Sequence, residues 1–195
     1  YSGNGSFQLG SLNINPVSGT VSFISLHTFQ GTTINYTSGP VVFTSAANYW
    51  SMNGNNTFNA PNLTFPYLNM GNSANLTLNA PLLVGTVSAQ TIGWTGTSGF
   101  SVGNYNITLN TSQHTFLTGI TYSITNLFVN LQSANGTRPT FKSAVAGTRA
   151  TLVLLNGAAC NLAYTNAIDI DSSAGRTIQS FNGTFSNTLN WNSFN

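Results

Sequence analysis

Apolar and polar residues alternate along this chain in runs of four to six, and Gly, Asn or Pro closes almost every run. Clear cases are Leu12-Asn13-Ile14, Val21-Ser22-Phe23-Ile24, Thr33-Ile34-Asn35-Tyr36, Asn62-Leu63-Thr64-Phe65 and Asn75-Leu76-Thr77-Leu78. The pattern continues through Asn106–Leu109, Ile120–Ile124, Asn126–Leu131, Thr151–Leu155 and Asn161–Tyr164. A period of two places alternate side chains on opposite faces of a strand. No long window shows apolar residues at the i, i+3, i+4, i+7 spacing of an amphipathic helix, and Glu is absent. The pattern predicts an all-β protein of many short strands.

Two all-β architectures compete. Hairpins of a β-sandwich favour Asn-Gly turns, and Asn53-Gly54, Asn135-Gly136, Asn156-Gly157 and Asn182-Gly183 supply them. A solenoid instead repeats about every 20 residues, one coil upon the next. Phe58-Asn59-Ala60-Pro61 and Leu78-Asn79-Ala80-Pro81 are such a repeat, each followed by a short apolar strand. Stacked coils set each turn Asn over its equivalent, where side-chain amides form ladders. The expected fold is therefore a right-handed parallel β-helix with a C-terminal cap, the β-sandwich being the alternative. Residues 1–91 are expected to form solenoid coils and 92–195 the terminal coils and cap.

Composition sharpens this picture. Only 3% of the 195 residues are charged, against about 25% in ordinary soluble domains. No Lys, Arg, Asp or Glu precedes Arg138. Stacked like charges repel, so a coil stack has a reason to be neutral. The 41% hydrophobic and 12% aromatic content supplies a core and argues against disorder. A net charge of +2 without a basic cluster gives no footprint for nucleic acid or for an anionic membrane. No apolar run approaches the roughly 20 residues of a membrane helix. Near-neutral proteins tend to precipitate. The expectation is a protein held in an assembly, coated with sugar, or placed where carboxylates are protonated, in each case extracellular. A start at Tyr1 rather than Met suggests a removed leader or a segment of a longer chain.

Candidate chemistry is sparse. Asp169 and Asp171 are the only carboxylates. On one extended strand they would share a face about 7 Å apart, within the range of a glycosidase pair. They could also offer two oxygens to Ca²⁺, which takes six to eight. The simpler expectation is that they accept the amides of the Ser172–Gly175 turn, with Arg176 as counter-charge. His27 and His114 have no Cys or acid at metal-ligand spacing and read as surface or rung residues. No G-x-S-x-G occurs, so no catalytic residue, metal or cofactor is assigned. Cys160 is alone and reads as a small buried apolar residue. Tyr49, Trp50 and Trp94 are candidates for stacking on sugar rings. Trp191, with Phe185 and Leu189, is the candidate seal of an open coil. Sequons occur at nine Asn residues, among them Asn35, Asn62, Asn75, Asn106 and Asn135, which would carry glycans in an archaeal or eukaryotic host.

The segment from Gly93-Trp94 through Gly119-Ile120-Thr121-Tyr122 and Lys142-Ser143 to Gly147-Thr148-Arg149-Ala150 resembles a known module. The likeness continues through Ala167–Gly175 and closes at Asn187-Thr188-Leu189-Asn190-Trp191. The module ends the repeat region of large β-helical fibre and surface proteins of bacteriophages and environmental bacteria. The resemblance covers roughly the last hundred residues, carries no catalytic motif, and implies a structural or adhesive role in a virion fibre. It also implies a homotrimer and possible contact with cell-surface glycans. The Asn- and Thr-rich, charge-poor character is similar to that of archaeal surface thread subunits. That likeness implies a filament joined by donation of Tyr1–Leu9 or Asn187–Asn195 to a neighbour. A polysaccharide-cleaving β-helix using Asp169 and Asp171 is the third expectation.

Overall fold

The computed structural model describes residues 50–195 other than 60–62, 72–73 and 132–135, together with the backbone of six strands before Trp50. Among these residues side chains are described from Met52 onward, except at residues 53, 63 and 64. The described chain is all-β, and every strand pairing in it is parallel.

The strands fall on three ladders, which the chain visits in a fixed cyclic order. The first ladder holds Val21–Phe23 and Val41–Phe43, the leading halves of four long strands, then Ala150–Leu154 and Ile170–Asp171. Those long strands are Leu63–Met70, Leu82–Ala89, Phe100–Ile107 and Thr121–Asn130. Their trailing halves belong to the second ladder. It begins with Gly5–Phe7, His27–Gln30 and Trp50–Asn53 and ends with Ala159–Ala163, Ile178–Phe181 and Trp191–Phe194. The third ladder is a separate nine-stranded sheet, from Ser11–Ile14 to Thr184–Ser186.

Parallel neighbours need a long connection, and here the other two ladders supply it. The Asn-Gly dipeptides at 53, 156 and 182 turn the chain without making antiparallel hairpins, so the sandwich's hairpin expectation fails among the described residues. Asn135 lies outside them. Ladders run unbroken past residue 91: Ala74–Leu78 pairs with Ile92–Gly96, and Leu82–Ala89 pairs with Phe100–Ile107.

The corner between the first two ladders explains why four strands are long. Gly85 lies over Pro66, and Gly103 over Gly85. A Cβ on Gly103 would stand 2.4 Å from the Gly85 carbonyl oxygen, so the backbones approach too closely for any side chain. The chain bends there without a loop, with a register irregularity between Val102 and Asn104. Ile120–Ile124 and Asn126–Leu131, which read as two strands, are one, Thr121–Asn130, bent across this corner.

Alternation sends one face of each ladder into a single core. On the third ladder the inward column runs Ala74, Ile92, His114, Phe141, Ala167 and Phe185, by register. Trp94, Phe116, Tyr105, Phe128, Tyr122 and Phe141 are fully buried along the axis. Trp191 closes the far end, 5.4 Å from Phe185 and 6.2 Å from Phe141 between ring centres. Leu189, expected in that seal, is instead 40% exposed.

The stacked polar rungs predicted from the Asn content are present. Asn75 donates to Asn55 at 2.9 Å and Asn79 to Asn59 at 2.8 Å, each pair 20 residues apart. Asn126 donates to Asn104 (2.6 Å), which in turn donates to Thr86 (3.0 Å). The repeat seen at Phe58-Asn59 and Leu78-Asn79 is one rung of this ladder, with Leu78 in register with Phe58.

Candidate functional site

Three places gather the polar side chains singled out by the sequence: a terminal corner, a buried network and a depression on the third ladder.

At the corner, Ile168 is exposed and Ile170 is buried, with Asp169 between them in a left-handed conformation (φ 55°). The extended strand assumed for Asp169 and Asp171 is therefore broken at Asp169. Asp169 accepts the Gly147 amide at 2.8 Å and the Asn187 side-chain amide at 2.5 Å. Arg149 donates to both the carbonyl (2.9 Å) and the side-chain oxygen (2.7 Å) of Asn187. The Asn187 and Gly147 hydrogen bonds hold the Asp169 carboxyl below its ordinary range, with help from Arg149. Asp171 accepts the Ser173 amide at 2.8 Å, as the turn reading expected; the Ser173 side chain, then this amide, lower its pKa. Arg176 is not the counter-charge; it donates to the Ala158 carbonyl. Among the described residues no three His, Cys or Asp side chains come together as a metal group would require.

The buried network crosses the core. Trp94 is 0% exposed, so its ring offers no face to a sugar; its Nε1–H points to Tyr105 Oη at 3.4 Å. Tyr105 Oη lies 2.9 Å from His114 Nδ1, and Ser112 Oγ lies 2.9 Å from His114 Nε2. One assignment satisfies all four groups: Trp94 donates to Tyr105, Tyr105 to Nδ1, and Nε2–H to Ser112. His114 thus sits on a rung but faces inward, stacked 4.7 Å from Phe141. Desolvation pushes its pKa down to about 3 and raises that of Tyr105. Alternation with Ile92 and with Phe116 could have placed Trp94 and His114 on the inward face, against their reading as a sugar-stacking ring and a surface or rung histidine, but nothing in the sequence told which polar residue would complete the chain.

Other candidates are scattered. Tyr49 lies outside the described residues, as does the side chain of Trp50. Of the glycosylation candidates, Asn62 and Asn135 also lie outside, and Asn35 is described only as backbone. Asn75 is exposed, whereas Asn106 is half-buried with its Oδ1 enclosed and unpartnered. Cys160 is half-buried, and its thiol donates to the Gln179 carbonyl at 3.2 Å. Burial raises that thiol's pKa. No described helix is long and apolar enough to cross a membrane.

The depression lies on the outward face of the third ladder and has a volume of about 310 Å³. Its floor is Gly93, and its rim is Asn75, Thr91, Thr95, Gln113 and Thr115. In register, Gly93 stands between Asn75 and Thr115 in one outward column. The missing side chain makes the gap. No charged residue lines it. Sequence reasoning missed it because the gap exists only once neighbouring strands of the ladder are aligned.

No family model matches this chain, and neither a curated protein nor a solved structure does.

Proposed function

We propose that this chain is a non-enzymatic structural and adhesive module of an extracellular assembly, built as a right-handed parallel β-helix with an aromatic cap, and that the assembly is a virion fibre. The observation that carries this reading is the cyclic return of the chain to three parallel ladders around one apolar axis. Such an order is what a coil produces, and the strong right-handed preference of parallel crossovers supplies the hand. Each coil contributes its outward residues to straight columns, a regular surface suited to self-association and to repeated weak contacts. Neutral amide rungs hold neighbouring coils without stacking charge.

The enzyme reading finds no support in the terminal corner, because the Asp169 and Asp171 carboxylates are occupied by Gly147, Asn187 and Ser173. The strand-donation reading has both tail strands paired within their own chain: Gly5–Phe7 with His27–Gln30, and Trp191–Phe194 with Ile178–Phe181. The fibre reading is therefore the one put forward, with a homotrimer as its expected state.

Light scattering with negative-stain electron microscopy tests it. The reading predicts defined oligomers or filaments of the purified chain; monodisperse round monomers at every concentration would contradict it.

A further inference from the structure

We infer that the depression over Gly93 binds a neutral carbohydrate, one or two sugar rings in extent; this rests on the adhesive reading and names the ligand that the adhesion uses.

The argument starts from what the missing side chain exposes. On the third ladder the outward column reads Asn55, Asn75, Gly93, Thr115, Lys142. Neighbouring strands are about 4.8 Å apart, so Asn75 and Thr115 stand about 10 Å apart across the gap. That is a backbone spacing; the Asn75 side chain leans over Gly93 from one side, and the opening lies between its Oδ1 and Thr115. The volume of about 310 Å³ sits at the small end of ligand sites.

The lining has two kinds of surface. Threonine methyls and the flat Gly93 backbone form an apolar floor, and a sugar presents a matching C–H face. Hydroxyls and amides form the rim. The Asn75 side chain is held in place, because its Nδ2–H donates to Asn55 Oδ1 at 2.9 Å. This orients its own Oδ1 toward Gly93, where a Cβ would stand 2.4 Å from it. Thr95 is fixed likewise by its 2.8 Å hydrogen bond to Thr77. The exposed Gln113 amide offers both a donor and an acceptor on the opposite side. Acceptors and donors thus face one another across the floor, as a ring of hydroxyls requires, and Asn75 and Thr95 are positioned before the ligand arrives.

Charge decides the ligand class. No charged residue lines the depression. The nearest cation by register is Lys142, one rung beyond Thr115 and outside the lining. A phosphate, sulfate or uronate would be desolvated there without a counter-charge, which is unfavourable. A neutral polyol satisfies the rim without an uncompensated charge.

The experiment measures binding of the full chain to immobilised four- to six-unit oligomers of glucose, galactose, mannose and N-acetylglucosamine, with an oligouronate as the charged arm. Gly93→Val fills the gap. The double variant Gln113→Ala, Thr115→Ala removes two rim groups while leaving the floor and serves if Gly93→Val does not fold. Expected is binding of at least one neutral oligomer, weakened about tenfold or more by either variant. Three results overturn the inference: no neutral oligomer bound at about 10 mM, binding unchanged in the folded variants, or tighter binding of the uronate. Light scattering on the same preparations keeps the two readings apart. Oligomers that bind no sugar leave the fibre reading standing and reject this one, and round monomers reject the fibre reading by themselves.

Discussion

Tyr105 on the second ladder and His114 on the third meet inside the core, with Oη 2.9 Å from Nδ1. Together with Ser112 on the other ring nitrogen they leave the imidazole neutral, with no room for a second proton. Protonating Nδ1 would turn the Tyr105 hydroxyl into an acceptor only, leaving its own hydrogen stranded.

The pH dependence follows with a definite sign. The His114 pKa is about 3 in the fold and near 6.5 unfolded. A depressed histidine means that the unfolded chain binds the extra proton between those values. Its contribution is complete above pH 6.5 and is lost as pH falls toward 3, up to roughly 5 kcal/mol. The Asp169 and Asp171 pKa values are also lowered, so protonating them below about pH 4 adds in the same direction. Urea midpoints measured from pH 7 to 4 should fall steadily. His114→Phe should flatten this slope while costing about 1–3 kcal/mol at pH 7, because Tyr105 and Ser112 lose their partner. A wild-type midpoint constant across this range would contradict the account. This dependence also counts against an acidic habitat as the reason for the scarce charge.

Scarce charge has a direct test in the amide rungs. Asn55→Asp keeps the oxygen that accepts from Asn75 and should be nearly neutral, whereas Asn75→Asp removes the donor of that rung and should cost about 0.5–1.5 kcal/mol. Combined, they stack two carboxylates on one rung and should show an unfavourable coupling of about 0.2–1 kcal/mol that salt reduces. A double-mutant cycle with zero coupling at low salt would remove repulsion as the explanation.

The Gly103 corner should tolerate nothing larger. Gly103→Ala places a methyl against the Gly85 carbonyl oxygen, which is backbone and cannot swing aside. A loss of more than about 2 kcal/mol is expected. Gly119→Ala is the contrasting case, because nothing lies within 4 Å of that position. Its φ of 74° still strains an Ala, so about 1 kcal/mol is expected there. Equal losses at the two sites, in chemical denaturation, would refute a close approach at the corner.

The cap should be separable from the stack. Trp191 stands 6.5 Å from Phe128 between ring centres, and its Nε1–H donates to Ser172 Oγ at 2.9 Å. Trp191→Ala should cost about 2–3 kcal/mol, below the range for a fully buried Trp because the ring is half-buried. Hydrogen exchange should rise first at Trp191–Phe194 and Ile178–Phe181 and leave Ile92–Gly96 protected. Uniform loss of protection would show that the cap is not a separate element.

How much of this was legible in the chain follows from which effects are local. Alternation and Asn punctuation set strand type, because these act over a few residues, and the Asn59 and Asn79 repeat gave the 20-residue spacing of two in-register parallel strands. The bend at Gly85 and Gly103 was not legible, since it depends on backbone contacts between neighbouring strands. For the same reason Asp169 was placed on a strand that its left-handed backbone interrupts. Trp94 could have been read as buried from Ile92 and Trp94 sharing one face. The depression over Gly93 required the register of three parallel strands.

The stacking of coils is the claim on which everything else depends, and a cysteine cross-link measures it directly. In a Cys160→Ser background, Asn55→Cys with Asn75→Cys places two thiols on adjacent in-register rungs, within the 4.4–6.8 Å Cα range of a disulfide. Asn55→Cys with Lys142→Cys separates them by four rungs, about 19 Å. The account predicts rapid, complete oxidation of the first pair under mild oxidant and none within a single chain for the second. Failure of the first pair, or oxidation of both alike, would contradict it.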